Sequence, residues 1–471
     1  MLHPTADMYK NYLLRRLKKT VIPSEDEIDL LRSRCHHEIK YIEHNLRKYN
    51  NRDIPIYQKK VINKLKSNAK ISFDYRAEIV DQLVDYITGI PVDYRHTDES
   101  IETFINEFAE YAELDSLNQE SLTDLLSCGR AYRLLYVDEH GEYSAINLHP
   151  ASTITLDDEK GNAVFAFRFY VELDDNEDEV EVCEFFDDTN IYTFKGEGWQ
   201  LESVEPHLFG MMPVINMYNK KSKMPDFAKV EAQIDALNEI VSNHQDEINE
   251  FRNAYMVFKN ATLKEEDYEK ILKTGAFQIP DNSDVSFLTK NMDVVAVDTQ
   301  RKMLLENIYR LSKTIDMEKF NDSSESGESR MWKLIMLENR AKQKTIFLRR
   351  FLRRMFLILS TSTSVKGIDF DIDDIGLQFN RSLPIDEKYT GEALNLYANF
   401  VSTRTLLERV PFIDNVDEEI ERLREDAKEN LRKNILNNTV NSDGQPVENV
   451  NNEIKSLQAK SDAKTGNPST K

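Results

Sequence analysis

Residues 331–359, MWKLIMLENRAKQKTIFLRRFLRRMFLIL, carry two patterns on one helical period. Leu334, Leu337, Ala341, Leu348, Leu352, Met355 and Leu359 recur at steps of three, four and seven, so they share one face of a cylinder with 3.6 residues per turn. Arg340, Lys342, Lys344, Arg349, Arg350, Arg353 and Arg354 form a cationic set with no acid among them, in a chain whose formal net charge is -22. Immediately before this helix, Asn321-Asp322-Ser323-Ser324-Glu325-Ser326-Gly327 is a polar, small-residue loop that has nothing to bury. Before the loop, Leu304, Ile308, Leu311 and Ile315 lie at spacings of 4, 3 and 4, a single apolar stripe. Val294 to Thr361 therefore reads helix, loop, helix.

Further upstream, Val230, Ile234, Leu237, Val241, His244, Ile248 and Phe251 make a heptad-like seam with acids on the other faces. About 24 residues at 1.5 Å each predict a rod of ~36 Å. Between the two long helices, Ala254 to Phe258, a short helix around Glu265 to Leu272, Ala276 to Ile279 and Val285 to Leu288 predict a small α/β module at the tips of a helical hairpin. His244 on the seam reads as a packed or interface histidine rather than a pH switch.

The N-terminal part opens with a helix carrying Met8, Tyr12 and Leu13. A second helix starts at Pro23, Ser24 and Glu27, a capping-box pattern. Helices continue through Ile79 to Ile87, through Ile101 to Phe108, and through Leu117 to Cys128, ending at Gly129. There the period changes. Tyr132 to Val137, Ala163 to Leu173, Val180 to Phe185 and Ile191 to Phe194 are β-branched and aromatic, and turn signals such as Glu139-His140-Gly141 bound them. They predict an antiparallel sheet attached to helices. Asp174-Asp175-Asn176-Glu177-Asp178-Glu179 resembles a calcium loop only superficially: its sixth position lacks glycine and its twelfth, Phe185, lacks a carboxylate, so a hairpin tip is expected. Asp369, Asp371 and Asp373 alternate with Ile368, Phe370 and Ile372, as on a half-buried strand. Helices are expected from Glu387 to Val401 and from Asp417 to about Leu436. The polar tail Asn437 to Lys471 is expected to be disordered.

With 471 residues and 40% hydrophobic content the chain has ample material for buried cores. No apolar run approaches the ~20 residues that span a bilayer. The basic N-terminus has no apolar core or cleavage site of a signal peptide, which predicts cytoplasmic synthesis. Cys35, Cys128 and Cys183 are odd in number and widely separated, which argues against a disulfide framework. Cys35 falls on the stripe Ile28, Leu31, Cys35, Ile39, Ile42, Leu46. The adjacent His36 and His37 point in different directions on a helix and lack a Cys-x-x-Cys, so no metal is assigned there.

Several segments in this order resemble the portal proteins of tailed double-stranded DNA phages, in the large siphophage-type family. They are Ala77-Glu78-Ile79-Val80-Asp81-Gln82 with Tyr86 and Gly89-Ile90-Pro91-Val92; Gly210 to Asn219 (GMMPVINMYN); Val230 to Asn238 with Ser242; and Phe379 to Pro384 with Ser402, Thr405, Pro411 and Asp414. Two positions depart from the pattern: Ile90 stands where a Lys is usual, and Ser329 where an Ala often follows Ser-Gly-x. The resemblance implies an α+β, mainly helical subunit with wing, stem helices, small α/β clip and helical crown, assembled in a dodecameric ring. Mapped onto this sequence it implies a wing over 1–228 and 363–385, stem helices over 229–252 and 293–316, and a clip over 253–292. A tunnel loop over 317–330, a long helix behind it over 331–362, crown helices over 386–436 and a tail over 437–471 complete the scheme.

The resemblance further implies a conduit for packaging and ejecting viral DNA at the portal vertex of the virion. The clip would dock terminase and then head-completion or tail proteins, and scaffold and major capsid proteins would be further partners. The implied tunnel-loop residues are Lys319, Asn321, Asp322, Ser323, Ser324, Glu325, Ser326, Gly327 and Arg330. The clip's partner surface would include Lys259, Lys264, Glu265, Glu266, Lys270 and Lys273. For the seven cations of the long helix two readings stand: contact with DNA phosphates, or pairing with acids of the adjacent subunit. Acidity likewise has two readings. An acidic wall keeps a duplex mobile because it forgoes counterion-release affinity, or it serves solubility alone.

The competing classes are an adaptor that forms no ring and a DNA-processing enzyme. The sequence has no G-x-x-x-x-G-K-[ST], since Gly196, Gly198, Gly367 and Gly466 all lack what must follow. G-x-S-x-G and H-E-x-x-H are missing too. No catalytic, cofactor-binding or metal-ligating residue is assigned, and no zinc finger or helix-turn-helix is recognised, so any grip on DNA is geometric rather than base-reading.

Overall fold

A computed structural model describes residues 4–438 except 21, 62–66, 175, 197, 252–254, 261–281, 289–293, 318–326, 365–366, 382–399, 408–409 and 411–415. The chain divides into two compact units, Met1–Ser382 and Leu383–Lys471. In the first, α1 (Pro4–Thr20) and α2 (Glu25–Tyr49) precede α3 (Tyr75–Thr88), α4 (Glu99–Tyr111) and α5 (Leu114–Cys128). The Glu27 carboxylate accepts the Ser24 N–H at 2.9 Å, which fixes the start of α2 where the sequence placed it. On α1 the buried side chains are Ala6, Leu13 and Leu17, while Met8 and Tyr12 are exposed. Of the three residues that marked this helix in the sequence, only Leu13 packs inward.

Nine strands follow the helices or lie among them: β1 (Asp93–Arg95), β2 (Arg130–Val137), β3 (Tyr143–Leu148), β4 (Thr153–Asp157), β5 (Ala163–Leu173), β6 (Glu179–Phe186), β7 (Asn190–Lys195), β8 (Gln200–Pro206) and β9 (Val214–Tyr218). The single sheet expected from the sequence is in fact two, a three-stranded sheet β3-β2-β9 and a five-stranded meander β4-β5-β6-β7-β8, antiparallel at every pairing. Each buries a different face. Helices α1 and α2 cover the meander, where Leu17, Ile28, Leu31 and Cys35 meet Phe167, Phe185 and Trp199. The three-stranded sheet belongs to the larger core shared with α3, α4 and α5. Tyr132, Leu134, Leu148, Ala166, Phe186 and Val214 fill the space between the sheets. Asp174 closes the β5–β6 hairpin by accepting the N–H groups of Asn176 at 2.8 Å and Asp178 at 2.9 Å, the hairpin tip the sequence predicted.

Gly129, which ends α5, is required twice over. Its φ is +90°, and a Cβ there would lie 2.3 Å from the Lys223 carbonyl oxygen. The chain thereby brings the end of α5 against the loop that follows β9.

The hairpin of long helices is α6 (Glu231–Phe251) and α7 (Val294–Ser312), packed on each other, with strands β10 (Tyr255–Lys259) and β11 (Asp284–Leu288) paired antiparallel beyond them. Helix α6 has 21 residues, a rod of about 32 Å and shorter than the sequence reading. Its seam is buried at Val230, Ile234 and Leu237 and opens to solvent at Ile248. Helix α7 ends at Ser312, three residues before Ile315, and Leu311 is exposed while Ser312 is buried. Helix α8 runs from Gly327 to Thr363, so Gly327, Ser329 and Arg330 belong to its first turn and not to the loop preceding it.

A correction applies to residues 368–379. Instead of one half-buried strand there is a 3-10 turn at Ile372–Asp374, capped by the Asp371 side chain accepting from the Asp373 N–H at 3.0 Å, and then β12 (Gly376–Gln378), paired with β1. The alternation of Asp with Ile and Phe is real in burial, since Phe370 is buried and Ile368 and Ile372 are half-buried between exposed aspartates, but aspartates at a turn offer side-chain acceptors that compete with a ladder. In the second unit α9 (Thr403–Leu407) and α10 (Val416–Asn438) are described, the latter close to the expected Asp417 to Leu436. The expected helix Glu387 to Val401, apart from its last two residues, lies outside the described residues, as does the tail beyond Asn438.

Candidate nucleic-acid interface

The apolar face of α8 is a core face. Leu337, Ala341, Leu348, Leu352, Met355 and Leu359 are buried, together with Phe351, Phe356 and Ile358. The sequence stripe jumps from Ala341 to Leu348, and the position one turn after Ala341 is Lys344, which is fully buried. A lysine on a core stripe demands a partner, and Asp226 supplies it.

Asp226 is a hub. Its Oδ2 accepts from Arg340 Nε at 3.0 Å and Nη2 at 2.7 Å, and its Oδ1 from Lys344 Nζ at 2.5 Å and Asn219 Nδ2 at 2.7 Å. Lys344 also donates to Asn219 Oδ1 at 2.6 Å. Burial works to raise the Asp226 carboxyl pKa, but Arg340 and Lys344 outweigh it and hold the group well below the usual carboxylate range. Arg340 Nη1 donates to the Ser312 carbonyl at 2.7 Å, at the last residue of α7, where a cation meets the negative end of the helix dipole. Arg340 therefore ties the end of the hairpin helix to α8 and to the loop before α6. Two of the seven cations expected to face DNA or a neighbour, Arg340 and Lys344, are instead paired inside their own chain.

The other five lie nearer solvent. Arg350 Nη2 donates to the Lys160 carbonyl at 2.5 Å and to Asn162 Oδ1 at 3.0 Å. Arg353 pairs with Asp373. Arg349 stacks over Phe379 at 5.4 Å from the ring centre. Burial pulls the Arg354 guanidinium down, against the attraction of Asp158. Lys342 is exposed and 3.8 Å from Glu338. The sequence reading weighed DNA against a neighbour's acids; part of the answer is acids and carbonyls of the same chain.

The base of the hairpin is held by residues to which the sequence reading gave no structural role, although Asn238, Ser242 and Gln82 stand in the segments quoted there for the resemblance. Asn238, Ser242 and Asp246 lie four apart on α6 and accept the backbone N–H groups of Phe73 at 3.0 Å, Ile71 at 2.9 Å and Ala69 at 2.6 Å. Four helical residues rise about 6.0 Å, and two extended residues advance about 6.6 Å. The near-match lets one helix face zip up every second amide of an extended segment running antiparallel to it. Gln82 brackets Ile315 from both sides, donating to its carbonyl at 2.8 Å and accepting its N–H at 2.7 Å. Arg76, 1% exposed, pairs with Asp235 at 2.5 Å. The signal was present in the sequence as the i, i+4 spacing of Asn238, Ser242 and Asp246.

Two more buried cations set the scaffold. Arg133 reaches Asn118 at 3.0 Å, Ser121 at 3.0 Å and Asn147 at 3.1 Å, and it lies 4.9 Å from the Phe351 ring centre. With neutral partners only, burial pulls its guanidinium down to about 10. Arg130 and Lys10 both pair with Glu38, which overcomes its burial and keeps that carboxyl well below its ordinary value.

Lys319, Asn321, Asp322, Ser323, Ser324, Glu325 and Ser326 lie outside the described residues, as do Lys264, Glu265, Glu266, Lys270 and Lys273. Lys259 is exposed at the end of β10. Among the described residues, no group of three or more His, Cys, Asp or Glu is placed to hold a metal, and no helix is long and apolar enough to cross a membrane.

A family model described as "Phage portal protein, SPP1 Gp6-like" matches residues 29–433. The portal protein of Bacillus phage SPP1 is 21% identical over 405 residues, which covers 80% of this chain and 80% of that one.

Proposed function

Because the chain belongs to the SPP1 Gp6-like phage portal proteins, we propose that it assembles into a dodecameric channel through which viral double-stranded DNA is packaged and later ejected. The observation that carries this reading is the α6–α7 hairpin, tipped by β10 and β11 and locked at its base to α8 through Arg340 and Asp226. Twelve such hairpins side by side would wall a tube, with the long helix behind each. We assign the hairpin helices to the stem and residues 253–292 to the clip, which docks terminase and then head-completion proteins through a surface including Lys259. Residues 317–330 approach the DNA, with Gly327 to Arg330 as the helical anchor of that loop. Residues 386–436 form the crown toward the capsid interior.

Contact with DNA in this scheme is sequence-independent, made by polar loop groups and few cations, so that the duplex slides rather than binds. Scaffold and major capsid proteins surround the wing at the portal vertex, after synthesis in the host cytoplasm. The test is assembly of phage heads with and without the chain. Heads made without it are expected to stay free of DNA, and supplying it during assembly should restore filling; DNA-filled heads in its absence would overturn the proposal.

A further inference from the structure

Two clefts of opposite charge open at opposite edges of the three-stranded sheet. The row Leu148, Tyr132, Asn216 crosses β3, β2 and β9. Leu148 lines one cleft, about 730 Å³, and Asn216 lines the other, about 670 Å³. The cleft on the β3 side is walled by Asp81, Asp85, Glu120 and Asp124 with no lysine or arginine in its lining. The cleft on the β9 side has seven lysines and arginines against four carboxylates, in a chain of net charge -22.

Each cleft holds a titratable group whose burial its own chain offsets only in part. Among the described residues the Asp124 carboxylate has no hydrogen-bond partner; burial, with Glu120 adding to it, pushes its pKa up to about 7. On the other side, burial pulls the Lys223 ammonium down to about 8, with Arg130 and Lys10 adding to the effect, and the side chain rests over the Tyr218 ring at 3.7 Å. An opposite charge entering a cleft would return the group it holds toward its ordinary value.

The cationic side also has the shape of a knob. Lys220-Lys221-Ser222-Lys223 turns tightly after β9, with φ of +60° at Lys220 and +49° at Lys223. Its base is clamped by Asn219 Nδ2 donating to the Met224 carbonyl at 2.7 Å and by the close approach of Gly129 to Lys223. Lys220 and Lys221 project into solvent from this rigid base. A closed ring built from identical copies needs two different, complementary patches on each copy, in a head-to-tail contact. We infer that the Lys220–Lys223 loop of one copy docks in the Asp81, Asp85, Glu120 and Asp124 cleft of the next. Like-charge repulsion inside each cleft disfavours pairing of equal faces and so gives the contact its direction.

The inference rests on the ring reading and refines it. The test starts with exposed residues. K220E/K221E and D85K/E120K should each reduce ring formation at least tenfold at a protein concentration where the wild type is fully assembled, and the four-fold swap should restore it. In an otherwise native chain, K221C with E120C should crosslink into a ladder ending at the complete ring. The three native cysteines are buried, which keeps the background low. If a reversed variant fails to fold, crosslinking of the cysteine pair decides. Rings that persist in both reversals, rings in which the cysteine pair does not crosslink, or rings that stay intact while only DNA filling fails would overturn the inference and leave the portal reading standing. Failure of the wild type to form rings at all would instead count against the portal reading.

Discussion

Replacing Asp226 by Asn removes one charge and keeps the shape, so its consequences are calculable. The carboxylate accepts four hydrogen bonds from Arg340, Lys344 and Asn219, and its side chain is 6% exposed. An amide in its place leaves a nitrogen facing Arg340 or Lys344, which can only donate. Breaking a buried ion pair from one side costs about 3–5 kcal/mol. Burial already pulls the Lys344 ammonium down to about 8 despite Asp226, so without the carboxylate it can shed its proton and limit its share. Arg340 has no such escape. The expected loss is therefore nearer 3 than 5 kcal/mol, which at roughly 2 °C per kcal/mol for a body of this size lowers the thermal midpoint by about 6 °C. Calorimetry of the assembled and unassembled protein measures it. Hydrogen exchange should quicken most around Ser312 to Ile315, where α7 loses the order that Arg340 imposes. A combined replacement of Asp226 by Leu and of Arg340 and Lys344 by Met should recover most of the loss, since an apolar filling carries no unpaired charge. A midpoint for Asp226→Asn within 1 °C of the wild type, with unchanged exchange at the end of α7, would refute the reasoning.

Three further outcomes follow from the same physics. Asp124, with its raised carboxyl pKa, contributes stability that is full below about pH 4 and is lost as pH rises through about 7. Asp124→Asn should flatten that slope in unassembled protein and raise stability at pH 8 by about 2–4 kcal/mol, read from melting curves at pH 5 and 8. Ser242→Ala leaves the half-buried Ile71 N–H without its acceptor and should cost about 0.5–1.5 kcal/mol, with faster proteolysis in residues 67–73. Arg349→Glu with Arg353→Glu should leave the subunit folded and weaken rings, because the surplus of acids in the chain favours a neighbour's carboxylates over DNA; intact rings with impaired DNA filling would reverse that assignment.

The long elements were legible because their periods are long and regular. The starts of α2, β5 and α6 fall within a residue or two of where capping, alternation and the seam placed them. Strands β3, β4, β8 and β9 escaped because their apolar runs are short or, in β8, almost wholly exposed, so alternation gives little contrast. The splitting of one expected sheet into two depends on which strands share a core, and pairing at a distance leaves no local mark. The cationic helix shows the same divide. Its composition was visible, but whether Lys344 and Arg340 faced a phosphate or a carboxylate turned on Asp226, more than a hundred residues away. One clue was there: a stripe that skips from Ala341 to Leu348 leaves a core position to Lys344.

The central claim is a ring with a channel, and native mass with images of the same chromatographic peak tests it most directly. Twelve copies of 54.9 kDa predict a particle near 660 kDa, seen end-on as a ring with a central hole. A monomer or dimer at every concentration, even when scaffold and capsid proteins are supplied, would contradict the account.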